Sequence, residues 1–182
     1  MAEFSSELRR IQQEEVPKHQ LIAEIVEAAK NVGYTVADID DARPWGGFVR
    51  FDYADGDRFV TEFFPDVDPV AARLGNPEAE LSPKILLVEP NQRLSWQLHH
   101  RRAERWVFLT GGAYYKSTDP VQMGDVVYAA PGDVVQFEAG ECHRLVGDAN
   151  AITLVAEIWQ HTDASQPSDE DDIVRLQDDY KR

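Results

Sequence analysis

The sequence predicts an all-β sandwich or barrel preceded by α-helices, and three observations carry that prediction. From about Trp45 onward the hydrophobic period is two. Turn signals recur there at short intervals, among them Asp55-Gly56-Asp57, Pro90-Asn91, Gly111-Gly112 and Pro131-Gly132-Asp133. Before Trp45 the period is helical instead. Many short strands punctuated in this way describe stacked or closed antiparallel sheets rather than alternating βαβ units.

The elements follow in order. Ser5 and Ser6 can cap a first helix that should stop near Pro17. Leu21, Ile22, Ile25, Val26, Ala29 and Val32 then recur on one face of a second helix, and Gly33 supplies its stop. Such a stripe must lie against the main body. Strands are expected at 47–53, 58–63, 84–89, 94–99, 105–109, 113–117, 125–129, 134–137, 142–146 and 152–160. Asp66–Pro83, with its prolines, reads as a long connection holding a short helix or flap. The acidic tail from Asp163 carries Ile173, Val174, Leu176 and Tyr180, which can anchor it as a short helical tail. The expected organisation is a helical extension over 1–42 and a β-barrel domain with its tail over 43–182.

Composition narrows the functions. The chain has 182 residues, 43% of them hydrophobic and 28% charged, with a formal charge of −15. This is a soluble globular composition with room for a sizeable core. The acid excess argues against nucleic acid or an anionic membrane as partner, since both demand a basic footprint. No apolar run reaches the 18 or so residues of a membrane span. A single Cys permits no internal disulfide, and no secretory signal opens the sequence, so a cytoplasmic protein is expected.

The segment Leu94–Trp106 is the richest in chemistry. On a strand Ser95, Gln97 and His99 share one face, while Leu94, Trp96 and Leu98 share the other. A barrel with a polar, ligand-binding interior would turn the first set inward. Trp96 and Leu98 would then need cover from the N-terminal helices or from a homodimer mate. Glu104 follows His99 by five positions, and His143 lies forty-four residues downstream of His99 on another strand.

Gln97-x-His99-x4-Glu104-x6-Gly111 resembles the first motif of the cupin superfamily, and Gly132-x5-Glu138-x-Gly140-x2-His143 resembles the second. Within it the chain is most similar to the cupin domain of type II phosphomannose isomerases. Arg43-Pro44-Trp45-Gly46, Gln92-Arg93-Leu94-Ser95, Arg102-Ala103-Glu104-x-Trp106, Gly140-x2-His143-Arg144 and Glu170-Asp171-Asp172-Ile173-Val174-Arg175 carry that similarity. The resemblance implies a double-stranded β-helix, the cupin jelly-roll barrel. The sequence departs from the family pattern in several places. His99-His100-Arg101 stands for His-His-His, Glu104-Arg105-Trp106 for Glu-His-Trp, Asn91 for Gly, and Ala156-Glu157-Ile158-Trp159 for Ile-Glu-Val-Gln.

Gln97, His99, Glu104 and His143 make a mixed nitrogen and oxygen set suited to a divalent metal ion. Zinc is the metal the resemblance implies, and Mn, Fe, Co or Ni would satisfy the same ligands. His100 and Cys142 neighbour ligands but point away by strand parity. Glu157 is the only charge in an otherwise apolar strand face, which marks it as a paired acid or a functional one. The family resemblance implies aldose–ketose isomerisation of a sugar or sugar phosphate, in the intramolecular oxidoreductase class, through an enediol(ate). Glu157 is then the first candidate base, with Lys84 and His161 behind it. Arg43, Arg101, Arg102 and Arg175, with Ser95, are candidates for substrate binding. A non-catalytic sugar-binding or regulatory cupin is the alternative, and a metal oxygenase a third reading.

Overall fold

The computed structural model describes residues 3–11 and 16–180. Its helices are α1 (Phe4–Ile11), α2 (Lys18–Asn31), α3 (Gly56–Phe63) and α4 (Pro69–Ala72). Its strands are β1 (Val36–Asp40), β2 (Gly46–Phe51), β3 (Lys84–Val88), β4 (Trp96–Leu98), β5 (Arg102–Phe108), β6 (Gly112–Ser117), β7 (Val127–Ala129), β8 (Val134–Phe137), β9 (Cys142–Gly147), β10 (Thr153–His161) and β11 (Val174–Gln177). They form a six-stranded sheet, β1-β2-β3-β10-β5-β8, and a five-stranded sheet, β11-β4-β9-β6-β7. The two antiparallel sheets face one another. Leu86, Trp106, Phe108, Phe137 and Val155 of the first meet Ala129 and Leu145 of the second in one buried cluster. This is the expected double-stranded β-helix. Among the described residues no helix is long and apolar enough to cross a membrane.

Strand alternation gives the six-stranded sheet a second apolar face. Val49, Phe51, Ile85, Leu87, Leu154, Ala156 and Ile158 point away from the other sheet and pack with Phe4, Leu8, Ile22, Ile25 and Ala29 of the helices. Each large side chain so buried contributes about 1.5–3 kcal/mol. Glu62 of α3 fastens α1 by accepting the Ser5 N–H at 2.6 Å and the Tyr34 hydroxyl at 2.9 Å. Gly33, at φ +90°, turns the chain out of α2 as expected. Gly46 has φ +150°, and a Cβ there would meet the Leu87 carbonyl oxygen at 1.9 Å, so only glycine lets β2 start this close to β3.

Several expectations need correction. Residues 58–63 are helical, not a strand. Phe59, Val60 and Phe63 are buried on one side of α3, and that spacing is helical rather than alternating. The tail ends in β11, not a helix, because it pairs with the otherwise open edge of β4. β1 was missed. It pairs with β2 as the outermost strand of its sheet, and its polar Asp38 and Asp40 conceal the period. α1 is described only to Ile11, and the expected run toward Pro17 falls partly on 12–15, outside the described residues. Helices α1 and α2 cover the six-stranded sheet, not Trp96. That indole is fully buried and donates to the Pro120 carbonyl at 3.0 Å, so the stretch after β6 covers it. Of the two residues expected to need a dimer mate, Trp96 is covered within the chain, while Leu98 is half-buried beside Val174 of β11.

Candidate functional site

Cross-strand register sorts the interior by polarity. Phe48, Leu86, Val155 and Phe108 lie side by side across β2, β3, β10 and β5. The next inward row is Arg50, Lys84, Glu157 and Trp106, followed by Trp159 beside Glu104 and then His161 beside Arg102. One end of the sandwich is thus hydrocarbon and the other holds buried charge. In the facing sheet Arg175, Gln97 and His143 are aligned across β11, β4 and β9.

Three side chains converge at the polar end. Glu104 Oε1 lies 3.0 Å from His99 Nε2, and Glu104 Oε2 lies 3.2 Å from His143 Nε2. All three residues are buried, and their ligand atoms lie within 4.8 Å of one another. The far side of each ring fixes its tautomer. His99 Nδ1 faces the Asp172 carbonyl at 2.5 Å, and His143 Nδ1 faces the Glu141 carbonyl at 3.1 Å. A carbonyl only accepts, so both Nδ1 atoms carry the proton, and both Nε2 atoms face the carboxylate. Burial lowers the His99 pKa against the pull of Glu104, which favours the neutral form. His143 Nε2 and Glu104 Oε2 have no hydrogen-bond partner. Without a cation the imidazoles must donate to Glu104, but with Nε2 deprotonated both rings and the carboxylate offer lone pairs to one point, so the donor set fits a divalent metal ion.

Arg102 and Glu157 complete the electrostatics. Arg102 Nε donates to Glu104 Oε1 at 3.0 Å, and its guanidinium lies 3.9 Å from the centre of the Trp159 ring. Burial opposes ionisation of Glu104, but the imidazoles and the Arg102 charge outweigh it and keep the carboxyl well below the usual range. Glu157 accepts from Trp106 Nε1 at 3.0 Å and lies 3.8 Å from Lys84 Nζ. Its burial, and then the negative charge of Glu104, push its pKa up to about 8 against Lys84, Arg102 and the Trp106 bond.

A cavity of about 300 Å³ opens onto these groups. Of the candidate residues, Arg43, Lys84, Ser95, Gln97, Arg102, Glu104, Glu157 and Arg175 line it. Gln97 stands opposite His143 in register, and its Oε1 accepts from Ser95 Oγ at 2.6 Å. Arg102 is buried at the start of β5, not solvated in a turn. Arg43 Nε pairs with Asp40 at 2.5 Å. His99 and His143 lie behind Glu104 rather than in the cavity lining, and two further candidates stand elsewhere. Arg101 binds the Pro167 carbonyl at 2.8 Å and Asp169 at 2.9 Å, fastening the tail. His161 has both ring nitrogens committed, Nε2 to the Glu80 carbonyl at 2.7 Å and Nδ1 to the Ser168 N–H at 3.0 Å. His100 is exposed and Cys142 is buried outside the ligand group, as strand parity predicts.

The sequence gives no ready signal for four contributors. Trp106 holds Glu157, Trp159 carries Arg102 and Lys84 against its ring, Glu170 binds Lys84 Nζ at 3.1 Å, and Asp172 orients His99. Only the acidic run Glu170–Asp172 marks the last two, and it marks them as a motif without assigning them work.

A sequence profile of the mannose-6-phosphate isomerase C-terminal family matches residues 77–178. The chain belongs to this family. Among curated family relatives, the xanthan biosynthesis protein XanB of Xanthomonas campestris pv. campestris is 30% identical over 166 residues, which is 90% of this chain and 28% of that protein. A mannose-1-phosphate guanylyltransferase of Escherichia coli is 28% identical over 140 residues, 77% of this chain and 22% of its own length. The chain therefore spans about a quarter of the length of such relatives. Among solved structures, the capsular polysaccharide assembling protein CapF of Staphylococcus aureus superposes with a TM-score of 0.51 at 13% identity, over 87% of this chain and 39% of that one. That likeness concerns the fold alone.

Proposed function

We propose that this family member is a metal-dependent aldose–ketose isomerase acting on a small sugar or sugar phosphate, with residues 43–182 as the catalytic unit and 1–42 as a brace. One observation supports the reading: two imidazole Nε2 atoms converge on the buried Glu104 carboxylate, and Glu104 shares a polar cavity wall with a second buried acid, Glu157. His99, Glu104 and His143 would hold the ion, with Gln97 as a fourth donor and zinc as the first choice of metal. When bound, the ion supplies Lewis-acid polarisation of the open-chain sugar's carbonyl and neighbouring hydroxyl oxygens.

Glu157 is the group that moves a proton between C1 and C2. The Trp106 N–H holds its Oε2, and Oε1 faces Lys84. In the metal-free protein burial and the Glu104 charge keep Glu157 protonated up to about pH 8. With a cation held by His99, Glu104 and His143, the Glu104 charge would be offset and Glu157 would be favoured in its base form. Lys84 neutralises the carboxylate as it forms. Arg43 and Arg175 at the cavity wall supply positive charge for a phosphate despite the chain's net charge of −15. The similarity to a xanthan biosynthesis protein and a mannose-1-phosphate guanylyltransferase favours a mannose-type sugar.

A non-catalytic sugar-binding cupin is the second reading, favoured by Arg102, whose bond already compensates Glu104 Oε1. Incubating the zinc-loaded protein in deuterated water with mannose 6-phosphate, or with free mannose, separates the two. Isomerase action exchanges the C2 proton in wild type and not in Glu157→Gln. Bound zinc with no exchange for any aldose tested leaves the non-catalytic reading.

A further inference from the structure

Asp172 lies 73 residues beyond His99 in the chain and is only 5% exposed. Its carbonyl oxygen accepts from His99 Nδ1 at 2.5 Å and from Arg102 Nη1 at 3.2 Å. Its carboxylate accepts three more donors: the His100 N–H at 2.9 Å, the Arg101 N–H at 2.9 Å and the Ser168 hydroxyl at 2.7 Å. A buried carboxylate is costly to desolvate unless its acceptors are filled, and here they are filled by the backbone that follows the His99 strand. One residue therefore both closes that turn and aims the His99 ring. The same segment reaches the cavity through Glu170, bound to Lys84 Nζ at 3.1 Å, and through Ile173 and Arg175 in its wall.

We propose that Asp172 is a positioning residue of the metal centre, and that residues 167–177 form a strap whose closure and the site's occupation by a divalent cation stabilise one another. The proposal rests on the reading that His99, Glu104 and His143 hold the ion. Coupling of this kind is reciprocal: a closed strap that tightens the site by some factor is itself tightened by the ion to the same degree. Loss of such a partner behind a ligand costs about 10–100-fold in metal affinity.

The test uses the full chain with zinc alone as probe. Affinity is read by competition with a chelator, ligand geometry by the visible spectrum of the cobalt-substituted protein, and strap order by amide hydrogen exchange. The expected result is zinc binding about tenfold weaker in Asp172→Asn, which keeps the carbonyl but loses the carboxylate that fixes its place, with an altered cobalt spectrum. Ser168→Ala should show a smaller loss. Tyr180→Phe, which removes only a 2.7 Å bond from the far end of the tail to Gln92, should match wild type. In wild type, zinc should slow exchange in both 99–102 and 167–177. This arm decides the matter even if Asp172→Asn does not fold. Wild type that binds zinc without slowing exchange in 167–177, or a folded Asp172→Asn that binds zinc as tightly as wild type, overturns the strap and leaves the metal reading standing. Wild type that binds no zinc removes both.

Discussion

On one face of β10, Leu154, Ala156 and Ile158 pack against the N-terminal helices, whereas Thr153, Val155, Glu157, Trp159 and His161 face the interior of the sandwich. Both faces are buried. The first is hydrocarbon from Leu154 to Ile158, with half-buried Gln160 at its end, and that hydrocarbon can be exchanged only for more of the same. The second grades from Val155 in the apolar cluster to Glu157, whose acid form the burial itself maintains. A strand's period of two lets one segment anchor the fold and carry the chemistry, with the two roles a single residue apart. The faces should therefore fail in different ways when mutated.

The largest effects are expected on the inner side. Glu104→Gln removes the carboxylate shared by both imidazoles at nearly constant volume, and zinc binding followed by titration calorimetry should vanish. Glu157→Gln should lower C2 proton exchange by about 10²–10⁴-fold while zinc still binds. Retained exchange would transfer the proton-moving role elsewhere. On the outer side, Ile158→Ala should cost about 2–5 kcal/mol in denaturant unfolding yet leave exchange per folded molecule unchanged. If it altered zinc affinity instead, the two faces would not be independent.

A pH series on the metal-free protein sharpens the contrast. Glu157 has its folded pKa raised from 4.5 to about 8, so the folded state binds the extra proton between those values. Its contribution is fully present below the unfolded pKa and lost as pH rises to about 8. Glu157→Gln should flatten that decline, whereas Ile158→Ala should shift the whole curve without changing its slope. The smallest effect belongs to the cavity mouth. Arg43→Ala should raise KM a few-fold for a phosphorylated sugar and less for the free one, because Arg43 is partly exposed and already paired with Asp40.

The ligand group was legible because His99, Glu104 and His143 stand in the two stretches that resemble the cupin motifs, whereas strand parity alone groups His99 only with Ser95 and Gln97. The β-rich body was legible from its period of two and its turn signals. Asn91, at φ +62°, adopts the left-handed conformation that a glycine-like position requires. α3 was not legible, because Phe59, Val60, Phe63 and Phe64 are strand formers by composition and only their burial separates a helix from a strand. Nor were the roles of Arg101 and His161, which depend on tail residues that fold back on them. Arg101 reaches Pro167, 66 positions away. The five-strand edge that draws β11 out of a helix is likewise a property of the assembled sheet.

The metal strand is only three residues long, Trp96–Leu98, and one of its two neighbours is β11. During vectorial synthesis the ribosome delivers His99 and Glu104 well before the stretch that orients them. The amides of His100 and Arg101 must wait some seventy residues for their acceptor. The nascent barrel can close its hydrocarbon end early, but its ion-binding end is completed late, by contacts of high sequence separation that form slowly. A premature stop between His161 and Asp172 would thus leave a chain with its apolar strands and an unaimed His99 imidazole.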